Sequence, residues 1–347
     1  MNKIKTVVIG CGKRASLHIP AMQKDGRFEI TALCDIRSEA IADKKAKFSL
    51  DHAAEYADYR EMIAAEKPDC VVQALWPEHR LPIAKACVDG GVKLMVSEKP
   101  IAPNFGDAKA MLALAEGSGC RMMFTHQRRS SPGNLNIREL LSRGVIGEII
   151  RVDLYANRHL LDCGTHSFDQ AWSYIGDKPI LWVLGALDME KQVRWFDVPG
   201  EGSFAGTFMY EGGIYGSVFV GCPDHKRPEE MGVTLYGTKG YLEIGWEGKV
   251  YAYNCPAEFE EEAAALANLS AWDERTCSRD NIPAMWTCIA DAHLSGGACE
   301  FEIPNAYRAA EAIFALYESV RRRAIVRLPL ENVEDNPLET MIKEGIL

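Results

Sequence analysis

The sequence has no apolar run approaching the length that crosses a membrane, so no spanning helix is expected. It lacks a basic excess: 39 Lys and Arg stand against 49 Asp and Glu, a formal charge of −10. That balance argues against nucleic acid or an anionic membrane as partner and leaves a small molecule. There is no Cys-x-x-Cys pair, and the 11 cysteines are scattered singly and odd in number. Such spacing fits buried, reduced thiols better than a disulfide frame or a structural zinc site. Internal repeats and low-complexity tails are absent too. The opening residues run straight into a strand, so a cytoplasmic protein is expected.

What is present is an ordinary globular composition, 47% hydrophobic and 25% charged, over 347 residues. That length is about two domains' worth. The β-branched run 4–9 meets Gly10-Cys-Gly12-Lys13-Arg14-Ala15, and 16–24 follows with helical spacing. Strand, glycine turn and helix in that order form the context in which Gly-x-Gly-x-x-Gly/Ala cradles a pyrophosphate. Gly10 permits the tight turn, Gly12 lets phosphate approach the backbone, and Ala15 packs helix on strand. A second strand, 28–34, closes on Asp35, placed to accept both hydroxyls of an adenosine ribose and to repel a 2′-phosphate. Arg37 stands close enough to pair with such a phosphate, but NAD is expected over NADP. These residues also have plain structural readings, an ordinary strand-to-helix turn and a cap for the helix from Ser38.

Helices at 38–48 and 59–65 lead to an apolar strand at 70–75, which ends at Trp76-Pro77-Glu78-His79. A helix then runs to Val88, Gly90 and Gly91 stop it, and the strand 92–97 ends at Glu98-Lys99-Pro100. A helix at 104–116 and a short strand at 120–125 follow, and His126 stands at that strand's carboxyl end. Alternation of this kind predicts a doubly wound parallel sheet, whose ligands bind beyond the carboxyl ends of the strands. Lys99 sits at such an end, although a lysine there is commonly a solvated charge. The texture changes after a helix at 136–141. Strands at 147–156, 180–187, 192–196, 203–210, 214–220, 232–236, 241–244 and 249–253 suit a mostly antiparallel sheet with one packed face. The division is placed near Thr125, giving domains 1–125 and 126–347. The stretch 256–271 is acidic and Ala-rich with several possible helical registers. A long amphipathic helix is expected at 305–323 and a final strand at 324–330.

Between 147–156 and the following strands lies Leu160-Leu-Asp162-Cys-Gly164-Thr-His166. Phe168, Ala171, Trp172 and Ile175 recur at helical spacing, so a helix starts close to Gly164 and Asp162 and His166 face one space across its start. An imidazole at the positive end of a helix is favoured in its neutral form, the form that accepts a proton from an alcohol as hydride leaves. Asp162 would fix the imidazole tautomer or bind a substrate hydroxyl, and Lys99 would donate to the developing alkoxide or relay the proton. Both also have bland readings, Asp162 as a helix cap and His166 as a satisfied buried residue. His159, Asp162 and His166 match no standard metal spacing, and no metal is expected. Trp172, Trp182 and Trp195 read as core residues.

Taken together, Gly10-x-Gly12-x-x-Ala15, Asp35, Pro77-x-His79, Glu98-Lys99-Pro100, Arg128-Arg129-x-x-Pro132, Asp162-x-x-x-His166 and the tail from Leu316 to Pro329 resemble the Gfo/Idh/MocA family of NAD(P)-dependent oxidoreductases over nearly the whole chain. The resemblance implies an α/β architecture: an N-terminal Rossmann doubly wound parallel sheet, then a C-terminal α+β domain with a large, mostly antiparallel open sheet that serves dimer or tetramer contacts. It implies Lys99, Asp162 and His166 as the catalytic set, converging beside the nicotinamide, on secondary hydroxyls of sugars or cyclitols. Cofactor contacts are expected from Gly10, Gly12, Lys13, Arg14, Asp35, Arg37, Trp76, Pro77, His79, Glu98 and Lys99. Substrate contacts are expected from Lys99, His126, Arg128, Arg129, Asp162 and His166, with one of the two arginines reaching substrate or nicotinamide and the other forming an ion pair. Two departures stand out: the bulk of Trp76, and a short segment before Asp162 that suits a larger substrate such as a glycoside. Two other activities stay open, a glycosidase that oxidises its substrate transiently with NAD and a dinucleotide-binding sensor without turnover.

Overall fold

The computed structural model describes residues 3–190, 193–195, 197–221, 231–267 and 274–347, the side chains of 274–280 excepted. By contacts the chain divides into two units. The first takes the described residues of Met1–Pro103, Asp107–Gln127 and Arg279–Tyr307; the second takes those of Asn104–Gly106, Arg128–Ser278 and Arg308–Leu347.

The first unit is built on six strands: β1 (Ile4–Ile9), β2 (Phe28–Cys34), β3 (Ala54–Tyr56), β4 (Cys70–Gln73), β5 (Leu94–Ser97) and β6 (Arg121–Phe124). Their order is β3-β2-β1-β4-β5-β6, all parallel. β4 and β5 are buried at every position, as strands covered on both faces must be. The sequence direction reverses between β1 and β4, so a crevice opens at the carboxyl ends of those strands. Val8, Ile19, Leu33, Val72, Val96 and Met123 share one apolar cluster with Trp286 and Ile289 of the helix Glu274–Ser295. The segment after that helix extends the sheet edge: Phe124 N donates to Phe301 O at 2.7 Å, and Met123 bridges Glu302.

The second unit holds β7 (Ile149–Ala156), β8 (Ile180–Asp188), the paired β9 (Val193–Trp195) and β10 (Val198–Gly200), then β11 (Ser203–Tyr210), β12 (Ile214–Val220), β13 (Met231–Gly237), β14 (Gly240–Gly245), β15 (Val250–Asn254) and β16 (Val326–Arg327). Eight of these form one sheet, β15-β14-β13-β7-β12-β11-β8-β16, antiparallel except where β7 meets β12. The helix Thr165–Tyr174 lies against β7 and β13. Along β12 burial alternates strictly, with Ile214, Gly216, Val218 and Val220 inward and Tyr215 and Phe219 exposed.

Several expected elements are corrected. The helix expected at 136–141 runs over Pro132–Ser142, because Pro132 opens it and Ser131 caps it by accepting Asn134 N–H. The strand expected over 324–330 is only Val326–Arg327. Pro329 brings no N–H, and Leu330 N–H goes to the Glu311 carboxylate instead of a ladder. Of 192–196 the described part is Val193–Trp195. Within 256–271 lie the turn Ala257–Phe259 and the helix Glu260–Ala267; 268–271 fall outside the described residues. Among the described residues no helix is long and apolar enough to cross a membrane.

Candidate active site

In the first unit the candidate residues gather at the carboxyl edge of the parallel sheet. Gly10 follows β1 at φ +89°, and a Cβ there would lie 2.7 Å from Leu75 Cδ2 and 2.8 Å from Ala74 O. Only glycine meets both demands. A Cβ on Gly12 would meet nothing within 4 Å, so the backbone is open on that side. The helix Ala15–Asp25 starts with no side-chain cap, which leaves its N-terminal N–H groups available to phosphate oxygens. Asp35, at the end of β2, binds the loop directly: Oδ2 accepts Cys11 N–H at 2.8 Å and Oδ1 accepts Arg37 N–H at 2.9 Å. The Arg37 guanidinium stands 3.6 Å from the same carboxylate. Beside it lies a cavity of about 340 Å³, lined among others by Gly10, Asp35, Asp58, Tyr59, Leu75 and His79. Open glycine, uncapped helix and ribose-side carboxylate fit a dinucleotide.

The Glu98-Lys99 pair sits at the end of β5. Glu98 is buried, accepting from Arg14 Nε at 2.7 Å and from His18 Nε2 at 2.7 Å. Trp286 Nε1, which can only donate, lies 3.2 Å from His18 Nδ1, so the proton of that imidazole is on Nε2. Burial alone would push the Glu98 carboxyl up, but the Arg14 and His18 partners together hold it well below the usual carboxylate range. Lys99 is half-buried, and its carbonyl accepts from Arg80 at 2.9 Å. Arg80 also donates to Leu75 O at 3.3 Å, so one buried guanidinium ties the ends of β4 and β5 together. Burial lowers the Arg80 pKa to about 9. Trp76 is 48% exposed, Pro77 is buried at the start of a short turn, and His79 is exposed at its end. Lys13 is exposed, and His126 is buried just past β6.

In the second unit β7 runs out at Ala156, and a π-helical turn over Leu160–Gly164 leads into the helix Thr165–Tyr174. The His159 carbonyl organises that turn by accepting the N–H groups of Asp162 at 3.1 Å and Cys163 at 3.2 Å. Asp162 and His166 are both buried, one on the turn and one in the first turn of the helix, where the spacing predicts them. Arg158 stands 3.7 Å from the Asp162 carboxylate. The sequence expects an ion pair from one of Arg128 and Arg129; both have one. Arg128 pairs with Glu247 and stacks 3.9 Å over the Trp246 ring. Arg129 bonds Asp169 and Asp177, each at 2.8 Å, and Asp177 is shared with Arg308 at 2.8 Å. Among the described residues no group of three or more His, Cys, Asp or Glu is arranged to hold a metal.

Residues 4–126 match the model of the Gfo/Idh/MocA oxidoreductase family, NAD-binding Rossmann fold. The first unit carries the NAD-binding Rossmann fold of an oxidoreductase. Similar proteins include an uncharacterized oxidoreductase of Schizosaccharomyces pombe, 25% identical over 71% of each chain. A D-apiose dehydrogenase of Paraburkholderia graminis is 30% identical over 42% of this chain and 38% of its own length. In fold, the WlbA dehydrogenase of Bordetella pertussis, solved with NADH and UDP-GlcNAcA, superposes with a TM-score of 0.79 at 19% identity, covering 95% of this chain and 100% of that one.

The motifs do not reach His18, Arg80 and Trp286 in the first unit, or Glu201 and Tyr317 in the second. His18 lies three residues past Ala15 on the inner face of its helix, a position that the helical spacing alone could have flagged. Trp286 is more than 260 residues away from it in sequence and carried no local signal.

Proposed function

We propose that this enzyme exchanges hydride between NAD and a secondary hydroxyl of a sugar, cyclitol or sugar derivative, with Lys99, Asp162 and His166 as its catalytic set. When bound, the nicotinamide accepts or returns the hydride. His166 takes the hydroxyl proton, Asp162 holds the imidazole or a neighbouring substrate hydroxyl, and Lys99 donates to the oxygen as negative charge develops on it. The observation that carries this reading is the placing of two buried side chains, Asp162 and His166, on either side of the start of one helix in a chain with an NAD-binding fold. The D-apiose dehydrogenase among its relatives supports a sugar as substrate.

Arg129 serves this reading through its bond to Asp169, on the helix that carries His166. Asp35, with Asp58 beside it, supports NAD rather than its 2′-phosphorylated form. We also propose a second copy of the chain as partner. Leu184, Tyr215 and Phe219 stand exposed on one face of the eight-stranded sheet, opposite the face that carries Val183, Phe208 and Val218. An apolar face of that kind is one that water does not favour. The test is NADH absorbance in a mixture of protein, NAD and a panel of sugars, cyclitols and glycosides. Growth with at least one polyol is expected; tight NAD binding without turnover on any would contradict the proposal.

A further inference from the structure

Glu201 is a buried carboxyl, 2% exposed, that the chemistry above does not use. Its Oε1 accepts the N–H of Leu160 at 2.7 Å, and its Oε2 accepts the hydroxyl of Tyr317 at 2.6 Å. Leu160 opens the π-helical turn that carries Asp162 and runs into the helix of His166. Tyr317 comes from the helix Ile303–Arg322 and is itself fully buried. The carboxyl therefore bridges the start of the turn to a fully buried side chain of that helix.

The neighbours of Glu201 press on the same place. A Cβ on Gly200 would lie 2.6 Å from His159 Cγ, so the ribbon can lie against His159 only because residue 200 has no side chain. Trp195 meets the His159 ring edge-on at 5.5 Å between centroids. His159 in turn supplies the carbonyl that gathers the amides of the turn. The ribbon of β9 and β10 with Glu201 at its end thus holds residues 159 and 160 from one side.

A buried carboxyl is costly unless its oxygens are bonded. Burial pushes the Glu201 carboxyl up from its ordinary value, with the Tyr317 and Leu160 hydrogen bonds pulling the other way. An apolar side chain would fill this space at less cost in solvation, but it could not grip the Leu160 N–H.

We propose that Glu201, anchored by Tyr317, is a positioning residue that fixes the turn presenting Asp162 and leading to His166. This inference rests on the reading that those two residues carry the proton chemistry. Misplacement of a reacting group by about 1 Å can cost on the order of a hundredfold in rate. Glu201→Ala therefore lowers kcat about tenfold or more on the most active polyol and leaves the KM for NAD within about twofold. Glu201→Gln restores most of the rate, because its amide oxygen still accepts from Leu160 and its N–H₂ meets the Tyr317 oxygen.

The experiment measures kcat and KM for these variants, for Tyr317→Phe and for Asp162→Asn, together with amide hydrogen exchange over residues 160–164. Expected are faster exchange across that turn and a lower kcat in Glu201→Ala, recovery in Glu201→Gln, and a smaller loss of the same kind in Tyr317→Phe. The tyrosine variant removes one bond alone, so it carries the test if Glu201→Ala does not fold. Wild-type exchange and wild-type kcat in Glu201→Ala, or in Tyr317→Phe standing in for it, overturn the positioning role. A fully active Asp162→Asn would instead overturn the reading beneath it, and the exchange data separate the two failures because they need no turnover.

Discussion

His18 Nε2 donates to Glu98 Oε1 across 2.7 Å, and on its other side the same imidazole accepts from Trp286 Nε1. The residue just before Lys99 is thereby locked to the glycine-loop helix and to a helix from the far end of the sequence. Arg14 completes the shell, 2.6 Å from the same carboxylate oxygen. Lys99 is thus held by its neighbours on both sides, through Glu98 and through Arg80 on its own carbonyl.

This shell makes stability depend on acid. The folded protein holds the Glu98 carboxyl below the usual carboxylate range, so in acid the folded state binds fewer protons than the unfolded chain. The stability it contributes is complete above the unfolded value of about 4.3 and drains away as pH falls from there toward the folded value. Denaturant midpoints measured from neutral pH downward should fall more steeply for wild type than for Glu98→Gln. Parallel curves would mean that the carboxylate contributes no such linkage.

Arg129 offers a different separation. Its guanidinium is buried between Asp169 and Asp177; Asp177 keeps Arg308, but Arg129→Met strands the buried Asp169 carboxylate and should cost about 3–5 kcal/mol of stability. Equilibrium unfolding measures this. An unchanged midpoint with a raised substrate KM would mark Arg129 as a substrate contact instead.

Asp35 should decide cofactor choice. Asp35→Ala removes the acceptor of the Cys11 and Arg37 amides as well as the ribose-side carboxylate, and kcat/KM for NAD should fall about 10–100-fold. With Arg37 released, the ratio of NADP to NAD activity should rise. Initial rates with both cofactors give the ratio; an unaltered ratio would remove Asp35 from cofactor recognition.

The exposed face of the large sheet carries a prediction about mass. Phe219→Lys places a charge among Leu184 and Tyr215, and light scattering should show the assembly shifting toward single chains. A wild-type protein that already scatters as a single chain would contradict the proposed self-association.

Much of this was legible in residue order. The glycine turn, Asp35 and Glu98-Lys99 announce themselves because each follows a strong apolar run, and the strands Ser203–Tyr210 and Ile214–Val220 are set apart by the turn residues Glu211-Gly-Gly213. The illegible parts are long-range. The three-residue strand Ala54–Tyr56 has too few positions for a period, and the helix Glu274–Ser295 is interrupted by Pro283 and has a weak apolar stripe. Its Trp286 packs edge-on against Phe28 at 4.9 Å, a contact that no local pattern encodes. Glu201 reads as a surface acid after a Pro-Gly turn, since only the folded chain brings Leu160 and Tyr317 to its two oxygens.

The most direct test of the whole account is the fate of hydride transfer in His166→Ala, followed by NADH absorbance beside a titration of NAD binding. Loss of the proton acceptor should lower kcat by about 10²–10⁴ while NAD binds as in wild type. Turnover at the wild-type rate in that variant, on a polyol that the wild-type enzyme oxidises, would contradict the assignment of the imidazole as the base.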